Sequence, residues 1–183
     1  MTHFKDGEEQ MVHARDDLNK QITAMRARFK DYTSYAEVPF KESFRKDELE
    51  DALALQAYHF ESVYLENKGK DGFIMHELPL EAQFAPLFGM QTGDFNADGH
   101  LDVLAVGNSF ATEVQTGRYD AMGGVLLLGN GKGQFQIDRH SVDIKGDNKA
   151  LITIKLANQQ PVWMISRNKQ TPYFIHSKIK QTG

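Results

Sequence analysis

Asp94, Asn96 and Asp98 alternate along the chain, Gly99 follows them, Asp102 closes the stretch, and apolar runs lie on both sides. A hard cation such as Ca²⁺ takes roughly six to eight oxygens, and a chain that curls around it presents alternate residues inward. Asp94, Asn96 and Asp98 fit the side-chain positions of such a loop. The next position must turn sharply, and Gly99 has no Cβ to oppose a left-handed backbone. His100 would then offer its backbone carbonyl rather than its imidazole, and Asp102 stands where a further oxygen ligand belongs.

An EF-hand would continue into a helix and carry a bidentate Glu at position twelve. Here that position is Ala105, inside the run Leu101, Val103, Leu104, Ala105, Val106. A short run with β-branched residues, bounded by Gly107 and Asn108, reads as a buried strand. The expected site is therefore a strand-loop-strand calcium loop. The plainer alternative is a polar turn, since Asp and Asn favour turns anyway.

With 183 residues the chain can bury one sizeable core, or a core with a helical appendage. An apolar share of 40% with 10% aromatic residues excludes global disorder. A net charge of −4, with Lys and Arg dispersed, gives no reason to expect nucleic acid as a partner. No apolar run approaches the roughly 20 residues that span a bilayer, and the first residues lack the apolar core of a signal peptide. The chain has no cysteine, which excludes disulfides, thiolate catalysis and Cys-based metal sites while fitting either redox compartment. A calcium loop with three carboxylates and no bidentate Glu fills best where calcium is abundant, which points outside the cell.

Helical periodicity predicts a helix over residues 14–31, with Leu18, Ile22, Met25 and Phe29 on one face and Asp16 and Asp17 in its first turn. Arg26, Arg28 and Lys30 read as a solvated, dipole-compatible cluster. A second helix is expected from about residue 39 to 55, burying Phe40, Phe44, Leu49, Ala52 and Leu53. The period then changes to two from Tyr58 onward, so residues 1–56 form a helical segment and residues 57–183 a β region. Within the β region, residues 64–73 and 127–135 resemble each other: an apolar strand, an Asn-Gly-rich turn, then Phe73 or Phe135 opening the return strand. Asn67 and Asn130 stand 63 positions apart and Phe73 and Phe135 stand 62 apart, an internal repeat. Propeller blades repeat at roughly 40 to 50 residues, and a long loop over residues 108–124 accounts for the excess. Residues 150–156, 161–167 and 173–176 add strands of a further, calcium-free blade.

Phe88 and Gly89, the stretch from Gly93 through Leu104, and the stretch from Leu126 through Phe135 together resemble the FG-GAP or VCBS repeats of bacterial secreted and surface proteins. Residues 58–145 are similar to part of such a repeat protein, of the kind associated with ASPIC and UnbV domains. Similar repeats build the integrin α-chain propeller. The resemblance implies a mainly β fold with N-terminal helices, a partial β-propeller of two to three blades. It implies Ca²⁺ held by Asp94, Asn96, Asp98 and Asp102 with the His100 carbonyl, and an extracellular, periplasmic or cell-surface setting. Two departures stand out: a single acidic loop, and too few strands for a closed propeller, which needs roughly four to eight blades. Open sheet edges then allow self-association.

The leading functional expectation is a calcium-stabilised interaction or adhesion module that holds a protein or a glycan. Glu113, Thr116, Arg118, Tyr119 and Asp120 form its most suggestive binding segment, combining acids, a guanidinium and an aromatic ring. An internal contact of Arg118 with Asp120 or Glu113 would instead pin that loop. The alternative function is a carbohydrate-active hydrolase, with Glu113 and Asp120 as paired carboxylates, or its glycan-binding accessory domain. Catalytic residues are not expected: the seven histidines, His140 among them, make no metal-ligand spacing, and Ser109 and Ser141 sit in no nucleophile elbow. The glycine-rich stretch 129–133 reads as a hairpin turn rather than a phosphate loop.

Overall fold

The computed structural model describes residues 2–114, 116–139 and 142–176. His140, Ser141 and Gln115 therefore lie outside the described residues. Two compact units divide the chain, residues 1–57 and 58–183. The described residues are mainly β, with five short helices and several small antiparallel sheets, none of them closed.

The first unit opens with a hairpin, β1 (Thr2–Lys5) and β2 (Glu8–Met11), turned by Asp6 and Gly7. Five short helices follow: α1 (Arg15–Gln21), α2 (Met25–Arg28), α3 (Tyr32–Ala36), α4 (Phe40–Ser43) and α5 (Lys46–Leu49). The single helix expected over 14–31 is two. Ile22 caps α1 with extended backbone, and the β-branched pair Ile22 and Thr23 disfavours continuation. Leu18, Met25 and Phe29 still form a buried cluster, with Met11, Tyr35, Val38 and Phe44 packed around it, while Ile22 is exposed. Arg26 supplies part of what the break leaves unpaired, donating to the Asn19 carbonyl of α1, and Arg15 donates to the carbonyls of Phe29 and Lys30 just past α2.

The second expected helix is also broken, at Phe44, whose backbone is extended, and it ends by Glu50. Ala52 and Leu53 are exposed, so the predicted stripe stops at Leu49. Arg28 is not simply solvated either. Its guanidinium makes two hydrogen bonds to Glu48, at 3.0 and 3.1 Å, and a third to the Ser43 carbonyl at 2.6 Å, tying α2 to α5. These contacts hold the Glu48 carboxyl at about 2, Arg28 being the largest cause and the Arg45 N–H the next.

The second unit stacks three antiparallel layers. The first is the hairpin of β3 (Val63–Asn67) and β4 (Phe73–Glu77). The strand pattern that begins at Tyr58 in the sequence becomes a strand only at Val63. The second layer is a four-stranded meander of β5 (Leu87–Gly93), β6 (Asp102–Gly107), β7 (Val125–Gly129) and β8 (Phe135–Asp138). The third joins β9 (Asn148–Lys155), β10 (Pro161–Arg167) and β11 (Tyr173–His176).

The inner strands β6 and β7 of the middle layer are apolar on both faces because they are covered on both. Ala105, Val125 and Leu127 pack with Ala82, Ala85 and Met122 on one side, and Phe135 meets Tyr64 of the first layer edge to face. On the other side Leu104, Val106 and Leu126 pack with Leu151 and Ile165 of the third layer. Fully burying a side chain of this size contributes about 1.5 to 3 kcal/mol, so these two seams dominate the unit's stability.

The layers repeat one another in detail. Asn67 Oδ1 accepts from Gly69 N in the β3–β4 turn, and Asn130 Oδ1 accepts from Lys132 N in the β7–β8 turn. Asn108 follows β6, and its N–H donates to the Pro86 carbonyl just before β5; Asn168 follows β10, and its N–H donates to the Asp147 carbonyl just before β9. A polar knot joins the second and third layers at this end. Lys149 Nζ stands 2.6 Å from the buried Asp147 carboxylate, donates to the Asn108 carbonyl and lies 4.2 Å from the Phe88 ring centroid. Burial pushes the Asp147 carboxyl up, but Lys149, Asn168 and the Phe110 N–H outweigh it and hold the group below the ordinary aspartate range.

Candidate metal centre

The run after Asp102 is the strand β6, and residues 94–101 connect it to β5, so the acidic stretch closes one end of a strand pair as its composition predicts. Asp, Asn and Gly place their side-chain oxygens where backbone N–H groups can be met locally. Asp94 Oδ1 and Asn96 Oδ1 both accept from Asp98 N at 3.1 Å, Asp94 Oδ2 accepts from Gly99 N at 2.9 Å, and Asp98 Oδ1 accepts from His100 N at 2.8 Å. The loop is thus curled, with Asp94 and Asn96 brought to one common donor. Gly99 has φ +85° and Ala97 has φ +62°, and an alanine held there is strained.

Asn96 Nδ2 donates to Asp98 Oδ2 at 2.8 Å. This bond first, and the His100 N–H next, lower the Asp98 carboxyl below its ordinary range, so the loop keeps that charge well into acid.

Asp102 sits differently from the other three. It is fully buried, with Oδ2 accepting from Phe95 N and Oδ1 from Gly129 N, each at 2.8 Å. The carboxylate therefore clasps the acidic loop to the turn between β7 and β8, and each of its oxygens retains a second lone pair. Sequence reasoning named Asp102 only as a ligand and missed the clasp; a lone acid between apolar strand residues was the signal for it. The His100 ring lies against the same turn, where a Cβ on Gly131 would come within 2.7 Å of its Nδ1. A cavity of about 310 Å³ opens between the loop and the turn, lined by Asn96, Asp98, His100, Asn130, Gln134 and Gln136 among others.

The donor set is all oxygen, which suits Ca²⁺ and disfavours soft metals. Among the described residues no three acidic or imidazole side chains form a ligand group by themselves. A cation here needs the Asn96 amide oxygen and a backbone carbonyl beside Asp94, Asp98 and Asp102, which is the mixed set the sequence spacing gives.

The second candidate segment is a small hairpin. Ser109 and Tyr119 exchange backbone hydrogen bonds at 2.8 and 2.9 Å, Glu113 O accepts from Thr116 N and Gly117 N, and Thr112 Oγ1 donates to the Gly117 carbonyl. Arg118 lies over the Phe110 ring, 5.3 Å from its centroid. Among the described residues Arg118 makes no ion pair with Glu113 or Asp120, so the alternative of an internal salt bridge pinning the loop is not seen and a ring contact stands in its place. The exposed Glu113, Thr116, Arg118, Tyr119 and Asp120 share this hairpin.

Among the described residues no helix is long and apolar enough to cross a membrane. Comparison with protein-family models, with curated proteins and with solved structures finds no match for this chain.

Proposed function

We propose that this chain is a calcium-binding interaction module, built from blades of the FG-GAP or VCBS kind and belonging outside the cell or at its surface. The observation that carries the reading is the curl of residues 94–100, in which Asp94, Asn96 and Asp98 already turn their oxygens onto the loop's own N–H groups. When bound, the ion would screen the repulsion between the carboxylates and fix the loop; its part is structural. Asp94, Asn96, Asp98, Asp102 and the His100 carbonyl would hold it. The three layers, with their recurring asparagines, support the reading of two to three successive blades of a partial propeller. The hairpin carrying Glu113, Thr116, Arg118, Tyr119 and Asp120 is the surface proposed to meet a protein or glycan partner.

The reading is tested by thermal unfolding of the wild-type chain and Asp98→Ala with calcium, with magnesium and with chelator. Calcium at a hundredfold over its Kd should stabilise the wild type by about 2.7 kcal/mol and leave Asp98→Ala unmoved. An identical wild-type midpoint with and without chelator refutes the metal site. Glycan-array and pull-down screens with Arg118→Ala as control then test the partner surface.

A further inference from the structure

The inner strands β6 and β7 of the middle layer are buried on both faces, whereas among the described residues each outer layer leaves one apolar face exposed. Cross-strand registers relate these faces. The pair Leu65 and Met75 in the first layer occupies the place of Leu127 and Ile137 in the second, and Asn67 with Phe73 occupies that of Gly129 with Phe135. Leu127 is 2% exposed because the first layer and its following segment cover it, while Leu65 is 52% exposed.

The opposite end behaves the same way. Ile152, Met164 and Phe174 form one rung across β9, β10 and β11, as Gln91, Leu104 and Leu126 do across β5, β6 and β7. Leu126 is 7% exposed under the third layer, but Phe174 is 48% exposed. The free face of the first layer thus repeats the face by which the second receives the first. The free face of the third repeats the face by which the second receives the third. They are the two halves of a seam that the chain already makes internally twice.

We propose that a second copy of this chain continues the stack head to tail, the Ile152, Met164 and Phe174 face of one copy receiving the Leu65, Phe73 and Met75 face of the next. Such a contact is heterologous: each copy offers two different surfaces, and association proceeds to a ring or a stack until the rotation per layer closes it. It uses sheet faces rather than the open sheet edges suggested by strand count, and it does not depend on bound calcium.

The test is light scattering and sedimentation of the full chain over a wide concentration range, beside Leu65→Glu and Phe174→Glu. Both substitutions fall on exposed side chains, so far-UV dichroism and thermal midpoints should match the wild type; Met75→Glu and Ile152→Glu serve if either variant fails to fold. The wild type should associate with rising concentration, and each variant alone should remain a monomer. An equimolar mixture of the two should give a species of twice the monomer mass and no larger, because one intact face of each kind remains. A wild type that stays monomeric throughout, or variants that do not pair when mixed, overturns the proposal.

Discussion

Two connections occupy the same place in successive layers: residues 94–101 join β5 to β6, and residues 156–160 join β9 to β10. The second is a plain hairpin turn. Leu156 N donates to Gln160 O, Asn158 Oδ1 accepts from Gln160 N, and no acid is present. The first is longer and holds Asp94 and Asp98, while each carries one left-handed non-glycine residue, Ala97 and Gln159. Joining such a strand pair therefore requires neither acid nor length. What the first connection carries beyond a turn is surplus to the topology, and the proposed cation site rests on that surplus.

The largest effect should come from the residue that differs most between the two. Asp102 and Val162 stand at equivalent rungs and both are buried, one as a carboxylate and the other as a hydrocarbon. Asp102→Val should lower stability in denaturant unfolding by about 3 kcal/mol, because Phe95 N–H and Gly129 N–H both lose a charged acceptor. A loss below about 1 kcal/mol would mean that water replaces the carboxylate there.

Next in size, replacing residues 94–101 by the sequence of 156–160 should leave a folded protein with no calcium response. That removes the whole ligand-linked gain of about 2.7 kcal/mol at a hundredfold excess over Kd. Retention of the response would place the ion elsewhere. Smaller still, Ala97→Gly and Gln159→Gly both relieve a left-handed residue, at φ +62° and +65°, and each should stabilise by about 0.5 to 1 kcal/mol in thermal unfolding. A response at Gln159 alone would show that the strain of the acidic loop is tied to the rest of the loop.

The smallest expected difference is in acid. The Asp98 carboxyl is lowered in the folded chain, so its contribution is present above the ordinary aspartate range and disappears as pH falls through the lowered value. Hydrogen exchange at His100 N–H should accelerate over that interval, while exchange at Gln160 N–H should follow only its intrinsic pH dependence. Equal behaviour of the two amides would show that the acid does not hold the loop.

The β region was legible because its signals are local. Alternating patterns, the Asn-Gly turns and the acidic stretch each act over a few residues, and the strands and hairpins from Val63 onward follow them. The helical segment was less legible. Leu18, Met25 and Phe29 keep helical spacing across a break that Ile22 and Thr23 introduce, so periodicity survives where the helix does not. Exposure of Ala52 and Leu53 is set by chain that turns away at Asp51, whose φ of +62° no periodic pattern announces. The acidic stretch was readable as a curled connection between two strands, and its residues as types at a spacing that motivates the proposed site. The double use of Asp102 was not, because one of its partners, Gly129, is 27 positions away and is brought in only by the pairing of β6 with β7.

That shared carboxylate has a mechanical consequence. The acidic loop and the glycine-rich turn of residues 129–133 hang from opposite oxygens of one side chain whose own strand is fixed on both sides. Tension applied to either bend is delivered to the other through a rigid three-atom link, so the wall of the cavity between them cannot relax piecemeal. Whatever settles in that cavity against Asn130 and Gln134 would feel the stiffness of residues 94–100 through this link as well as across the cavity wall that Asn96, Asp98 and His100 form.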